Sequence, residues 1–464
     1  VEDQETARLT FSAAAQDGTL QDAARPVWGD LPILSYSAPQ TFRTAGYLDQ
    51  GGERTELVSL PRFYDPEARP DSGGLSLELS PSLASTMIRD LDVLEENECP
   101  CIDLTVSRFL PNLELYRVFK QFGLQSTELE TRLERNLDIG IQTLLNRQNV
   151  DGGWGWWPGD PSDPFITSYI LWGLVRASQA GILAVDLPVQ RAVEYLNVNL
   201  AALNEQQETW ELDRLAFAYY SLSQAGSGRS AAMLALYQKS AQLSPWAQAL
   251  LALAIEQTTP GSPEARNLIR DLQSQAVRSA AGAHWERRDK RGANMVSTLT
   301  NSAIVTYALA QRDPGAPLTA EAVRYLVANR QADGAWTTSY TTAWTLIALT
   351  EVMKATSELG GDYSFGAMIN DAPLANGQAS GIEQLTPVTA WLPLKQLYPD
   401  SPNQLVIERS EGTGRLYYSA IMDVSQPAEQ AVPLAQGMYL SRQYFPAVLD
   451  CARENCTPIQ SAQT

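Results

Sequence analysis

Apolar and polar residues take turns along the first eighty positions. The runs Leu9-Thr10-Phe11-Ser12-Ala13, Leu31-Pro32-Ile33-Leu34-Ser35-Tyr36, Thr55-Glu56-Leu57-Val58-Ser59-Leu60 and Leu75-Ser76-Leu77-Glu78-Leu79-Ser80 read as short strands. Clusters such as Asp17-Gly18 and Asp71-Ser72-Gly73-Gly74 part them. Four such strands make one layer with a bare face, so the covering strands must come from elsewhere in the chain. From Pro81 to Thr356 the apolar period becomes helical. Beyond Thr356 alternation returns, with strands at 363–370, 389–394, 403–409 and 415–423 and a turn across 371–377.

The helical stretch repeats itself. Ile141-Gln142-Thr143-Leu144-Leu145-Asn146-Arg147-Gln148 and Val323-Arg324-Tyr325-Leu326-Val327-Ala328-Asn329-Arg330-Gln331 both end in Arg-Gln. Both run into a Gly/Trp turn, built on Gln148, Asp151, Gly152, Gly153 and Trp154 in the first copy and on Gln331, Asp333, Gly334 and Trp336 in the second. A small-residue helix follows each, at 167–174 and 341–349, with weaker copies at 215–225, 245–257 and 302–311. One helix of each pair is charged along one side, as in Arg191-Ala192-Val193-Glu194-Tyr195-Leu196; the other is apolar nearly all round and needs close neighbours on several sides. Two concentric layers meet both needs: roughly a dozen helices in about six hairpins, an α/α toroid. In the turns, aspartate accepts backbone N–H groups, glycine permits positive φ and tryptophan covers the junction.

Composition narrows the partners. A chain of 464 residues exceeds one ordinary core, so two or three domains are expected. A net charge of −19 disfavours nucleic acid and anionic membrane surfaces, and no apolar run is long enough for a spanning helix. The start at Val1 lacks a signal-peptide pattern and the end is a loose polar tail, which reads as a piece of a larger polypeptide or a processed form, with a short natural protein as the alternative. The cysteines stand as two close pairs. The Cys99/Cys101 spacing suits a disulfide poorly, whereas Cys451 and Cys456 could close a small loop in an oxidising compartment. His284 reads as part of another helix-tying turn with Trp285 rather than as a base. The loop with Trp154, Trp156 and Trp157 reads as a rim cap rather than a sugar or isoprenoid cleft, and Asp160 and Asp163 as a surface turn rather than an acid pair. No metal or cofactor constellation stands out.

One stretch carries chemistry: Glu98-Cys99-Pro100-Cys101-Ile102-Asp103-Leu104-Thr105-Val106-Ser107-Arg108-Phe109-Leu110-Pro111-Asn112. It sets Cys101 at the mouth of a helix, where a thiol pKa tends to fall, with Asp103 in the first turn. The stretch resembles the thioester segment of bacterial α2-macroglobulins, Cys-x-Glu-Gln followed by Thr-Val/Met-Ser-Arg-Phe-Leu-Pro. Cys101 falls on the family's thioester cysteine, Asp103 on its Glu and Leu104 on the acyl-donating Gln. Leucine has no side-chain carbonyl, so the resemblance implies an inactive thioester position, with Cys101 a free thiol or mispaired with Cys99. The Gln-x-x-Asp-Gly-Gly-Trp turn is similar to the tie of terpene-cyclase-like toroids and to the family's thioester domain. Gly412-Thr413-Gly414-Arg415-Leu416-Tyr417-Tyr418-Ser419-Ala420 resembles the strand leading out of the family's CUB-like domain, and Met438-Tyr439-Leu440-Ser441-Arg442-Gln443-Tyr444 the opening of its next macroglobulin domain.

The resemblance implies an α+β multidomain chain. Residues 1–80 would be the first part of a CUB-like β-sandwich, 81–356 an inserted α/α toroid, 357–425 the second part of the sandwich and 426–464 the start of a further macroglobulin-like domain. It implies an extracellular, periplasmic or cell-surface protease trap: an endopeptidase inhibitor, not an enzyme, with no cofactor. Its partners would be proteases and the other domains of the same polypeptide. Two other classes stay open, a toroidal enzyme acting on glycans or isoprenoids and a non-catalytic protein-binding module.

Overall fold

The computed structural model describes residues 6–8, 10–16, 21–25, 31–32, 37–64, 73–83, 91, 94, 101–122, 127–288, 293–331, 335–356, 361–380 and 387–427. The architecture is α+β, and the chain divides into two units, Val1–Gln40 with Val424–Thr464, and Thr41–Asp423. In the first unit β1 (Thr6–Ala7) pairs with β4 (Leu31–Pro32), and β2 (Phe11–Ala14) forms an antiparallel hairpin with β3 (Gln21–Ala24). These hold the two earliest alternating runs, and among the described residues neither pairs with the sheets of the second unit.

Those sheets begin at β5 (Ser37–Leu48), a strand that alternation does not mark because Pro39 and the polar Gln40, Thr41, Arg43 and Thr44 blur the period. With it come β6 (Gly52–Val58) and β7 (Gly73–Ser80), and, after the helices and their short hairpin of β8 (Val277–Ser279) and β9 (Gly282–His284), β10 (Asp362–Ile369), β11 (Ala372–Ser380), β12 (Val388–Pro393), β13 (Asn403–Arg409) and β14 (Leu416–Pro427). Two four-stranded sheets result, ordered β11-β10-β13-β6 and β12-β7-β14-β5, so each draws strands from both sides of the helical segment. Leu75, Leu77 and Leu79 on β7 and Leu405 and Ile407 on β13 are buried at every second position, which gives each sheet an apolar side. Asn370 and Asp371 both have positive φ, 49° and 64°, and reverse the chain within two residues. The turn expected across 371–377 is therefore corrected: Pro373 and Gly377 lie in β11, an edge strand, where a missing N–H and a missing side chain are tolerated. The Tyr363 hydroxyl lies 2.8 Å from the Pro81 carbonyl and 2.7 Å from that of Arg415, and Asp362 N donates to Thr413 O at 3.1 Å. The chain thus leaves the sheets and re-enters them at neighbouring points.

Eleven α-helices stand among the described residues. The odd-numbered ones are α1 (Ile102–Phe122), α3 (Pro164–Gln179), α5 (Thr209–Gln224), α7 (Pro245–Thr258), α9 (Thr298–Arg312) and α11 (Ser339–Thr356). Each packs on the next, and α11 packs back on α1. The even-numbered ones, α2 (Thr127–Asn146), α4 (Asp186–Asn199), α6 (Ser230–Tyr237), α8 (Pro263–Gln275) and α10 (Pro317–Ala328), lie against them. Burial follows the sequence pattern: α3 is buried without a break over 165–177, whereas α8 buries one stripe of Ala265, Leu268 and Leu272. Hydroxyls inside the buried helices bond their own backbone, Thr306, Thr345 and Thr350 each reaching the carbonyl four residues back at 2.7–2.8 Å.

Aromatic rings fill the middle of this packing order. Trp172 of α3 stacks on Trp344 of α11 with centroids 4.6 Å apart, and reaches Tyr220 of α5 and Tyr307 of α9 at 6.0 Å each. Helices α3 and α9 do not follow one another in the order, so these rings meet across it. Beside them a buried ion pair joins α3 to α1, Arg176 Nε and Nη2 donating to Glu114 at 2.6 and 2.5 Å. Burial by itself would raise the Glu114 pKa, but Arg176, then Arg117 and Lys354, outweigh it and hold the carboxyl at about 2 against the ordinary 4.5.

Because the folded value lies below the unfolded one, the pair's contribution is complete above pH 4.5 and is lost as the pH falls towards 2. Glu114→Gln removes the bidentate counter-charge of a buried guanidinium, leaving only the more distant Glu351 at 3.9 Å, and is expected to lower stability in urea at neutral pH by about 3 kcal/mol. The variant's stability should also vary less than the wild type's across that acid window. An unchanged urea midpoint would show that the pair does not hold α1 to α3.

Candidate functional site

The site is the mouth of α1, and the turn at Trp154 leads into the loop that bonds its first amide. Gly153 N donates to Asp151 Oδ1 at 3.0 Å, and the Ser162 hydroxyl donates to the same oxygen at 2.7 Å. Gly152 has φ 91°, and a Cβ there would fall 2.4 Å from the Arg191 carbonyl oxygen, so glycine is needed for both conformation and space. Gln148 Nε2 donates to Gly152 O and Pro188 O, each at 2.9 Å. The Trp154 indole N–H donates to Leu144 O of α2 at 2.7 Å, while its backbone N–H donates to the Thr167 hydroxyl of α3 at 3.0 Å. One tryptophan therefore fastens the end of α2 to the start of α3.

The same tie recurs at Trp336, on Leu326 O at 2.8 Å and the Thr342 hydroxyl at 3.0 Å. Gln331 N closes the loop on Ala335 O; Asp333 and Gly334 lie outside the described residues. A third tie stands at Trp285, on Leu272 O at 2.7 Å and the Ser302 hydroxyl at 3.1 Å. Beside it the His284 ring stacks on Tyr325 and its Nε2 is 3.0 Å from Glu286 Oε1. The two carboxylates of the tryptophan loop are engaged by backbone amides. Asp160 accepts from Trp157 N at 3.2 Å, and Asp163 caps α3 by accepting from Phe165 N and Ile166 N.

The loop reaches the mouth of α1 through Trp156. Its ring stacks on Phe165, and its carbonyl accepts the first amide of α1, Ile102 N, at 3.1 Å. A helix start leaves N–H groups without intrahelical partners, and one of them is taken here by the neighbouring turn. Cys101, half-buried, is disulfide-bonded, which corrects the free thiol and is compatible with the other expected state, a pairing with Cys99. Cys99, Cys451 and Cys456 lie outside the described residues. Asp103 is half-buried, and burial raises its carboxyl pKa against the pull of its local backbone amides. Leu104 is buried, 5% exposed. One turn on, the Ser107 hydroxyl lies 3.4 Å from that of Tyr169, whose ring meets Tyr340 edge-on at 5.3 Å. Burial pushes both phenols up, and the charge of Asp103 adds to it. Pro111 removes an N–H from the ladder of α1, and the Asn112 side chain beside it donates to Arg108 O at 2.8 Å.

The structure brings Cys101, Asp103 and Leu104 together on one turn and sets the Trp156 carbonyl against its first amide. An oxidised sulfur is not a nucleophile, and Leu104 offers no acyl group. Sequence reasoning missed the Trp156 carbonyl, the Tyr169–Tyr340 floor and the Glu114–Arg176 pair. The last joins residues 62 positions apart, a separation no local motif records. Among the described residues no group of three or more His, Cys, Asp or Glu could hold a metal ion, and no helix is long and apolar enough to cross a membrane.

No protein-family model matches the chain. The alpha-2-macroglobulin homolog of a Nostoc strain is 25% identical over 379 residues, 79% of this chain and 19% of that protein. The alpha-2-macroglobulin of Thermotoga maritima is 32% identical over 141 residues, 28% of this chain and 9% of that protein. The crystal structure of native alpha-2-macroglobulin from Escherichia coli, from domain MG7 to the C-terminus, superposes with a TM-score of 0.55 at 16% identity, over 92% of this chain and 64% of that one. The last is a likeness of fold. The relatives support a place in the alpha-2-macroglobulin family, and the chain spans about a fifth of the Nostoc protein's length.

Trp285→Phe keeps the ring but removes the donor to Leu272 O. Leaving that buried acceptor unmet should cost about 1–3 kcal/mol in chemical denaturation, with a similar loss for Trp154→Phe. Two variants as stable as the wild type would show that the indole bonds are not what ties the helix pairs.

Proposed function

We propose that this chain is the α/α-toroid and CUB-like region of an alpha-2-macroglobulin-type protease trap that encloses its target without bonding to it. The observation that carries the reading is the state of the α1 mouth: a cysteine already in a disulfide, followed by a buried leucine, where the resemblance puts a thioester. The toroid is supported by the helix order that returns to its start, and the CUB-like part by two sheets fed from both sides of the helical segment. The protease-inhibitor role, and proteases as partners, rest on the likeness to alpha-2-macroglobulins. A disulfide at Cys101 fits an oxidising compartment, in keeping with an extracellular, periplasmic or cell-surface site.

In the full-length protein that carries this chain, an engaged protease should keep its activity on a small peptide substrate and lose it on a large protein substrate. No protease adduct should survive a reducing, denaturing gel, and methylamine should not be incorporated. A maleimide should label Cys101 after reduction and not before. Loss of small-peptide hydrolysis, a surviving adduct or methylamine uptake would each overturn the reading.

A further inference from the structure

A cavity of about 420 Å³ lies between one side of β7, β12 and β14 and the residues that follow α10. Its lining includes Ser76, Thr389 and Ser419, the charged pair Glu78 and Arg330, and Trp391. Glu78 Oε1 and Arg330 Nη1 are 2.6 Å apart, and Arg330 is 4% exposed. Trp391 is 63% exposed, yet its ring has a prepared seat: a Cβ on Gly74 would fall 2.3 Å from its Nε1, so glycine there lets the indole lie against the strand. The ring lies against the strand at the rim of a polar cavity and is open to solvent beside it.

Charge decides what the cavity can take. The carboxylate and guanidinium compensate one another in the wall, so an anion would face Glu78 and a cation would face Arg330. A neutral ligand meets no like charge in that wall, and the hydroxyls of Ser76, Thr389 and Ser419 supply hydrogen-bond directions. The indole adds an apolar face, and the volume suits a small molecule. A ring with hydroxyls around its rim and C–H groups on its face combines these demands.

We propose that this cavity binds a single neutral sugar ring, such as a terminal hexose or N-acetylhexosamine of a glycan. The proposal does not rest on the protease-trap reading. Saturation-transfer NMR of the whole chain with a panel of neutral hexoses and N-acetylhexosamines tests it. Saturable binding by at least one sugar is expected. Trp391→Ala should weaken it by about tenfold or more, Trp391→Phe should restore most of it, and Trp157→Ala, which removes a different exposed indole, should leave it unchanged. Circular dichroism of the variants checks that the fold is kept. The proposal fails if no sugar on the panel binds saturably, if folded Trp391→Ala binds as well as the wild type, or if an uncharged extended peptide binds Trp391 in place of the sugars.

Discussion

A helix that is apolar on every side has to be surrounded, and helices of this kind can surround one another only by packing in a closed order. This constraint organises the large unit of the molecule. It explains why α3, α7, α9 and α11 carry so many Ala, Ser and Thr residues, which let backbones approach and return their hydroxyls to their own carbonyls. It explains why large rings gather where the helices converge, since that space must be filled or left empty. Glu114 and Arg176 belong to the same logic. A charge placed there has no water to turn to, and two charges in a bidentate pair serve each other.

The mouth of α1 borrows its setting from that packing. Trp154 pins the loop, Trp156 lends a carbonyl to the first amide of the helix, and Tyr169 and Tyr340 form the floor. Such a sheltered corner would suit a reactive group that must be kept from water. Here the corner holds a disulfide-bonded sulfur, a carboxyl whose pKa is raised by burial and a leucine. The corner thus encloses neither a free thiol nor an acyl donor.

Features built from neighbouring residues were legible in the sequence. Asp151, Gly152 and Trp154 act within a single turn, so their spacing announces their geometry. The Trp285 tie has the same geometry without the Asp-Gly-Gly signature, and its kinship with the others emerges from which carbonyl the indole meets. Strand β5 escaped because its neighbours, rather than its own alternation, hold it in a sheet. Strand β11 escaped because proline and glycine read as a turn, although the reversal had already happened at Asn370 and Asp371. For Cys101 the sequence left a free thiol and a pairing with Cys99 side by side, since connectivity is a property of the folded chain.

The contact of Tyr363 with Pro81 and Arg415 has an architectural meaning. Where exit and return lie side by side, the two ends of the long helical segment are held at one point of the sheets, and closing so long a loop costs little more than closing a short one. Glu78 and Arg330 fasten the segment to β7 a second time, within the same compact unit. A change in the helices is therefore felt in the strands, with one tyrosine at the junction.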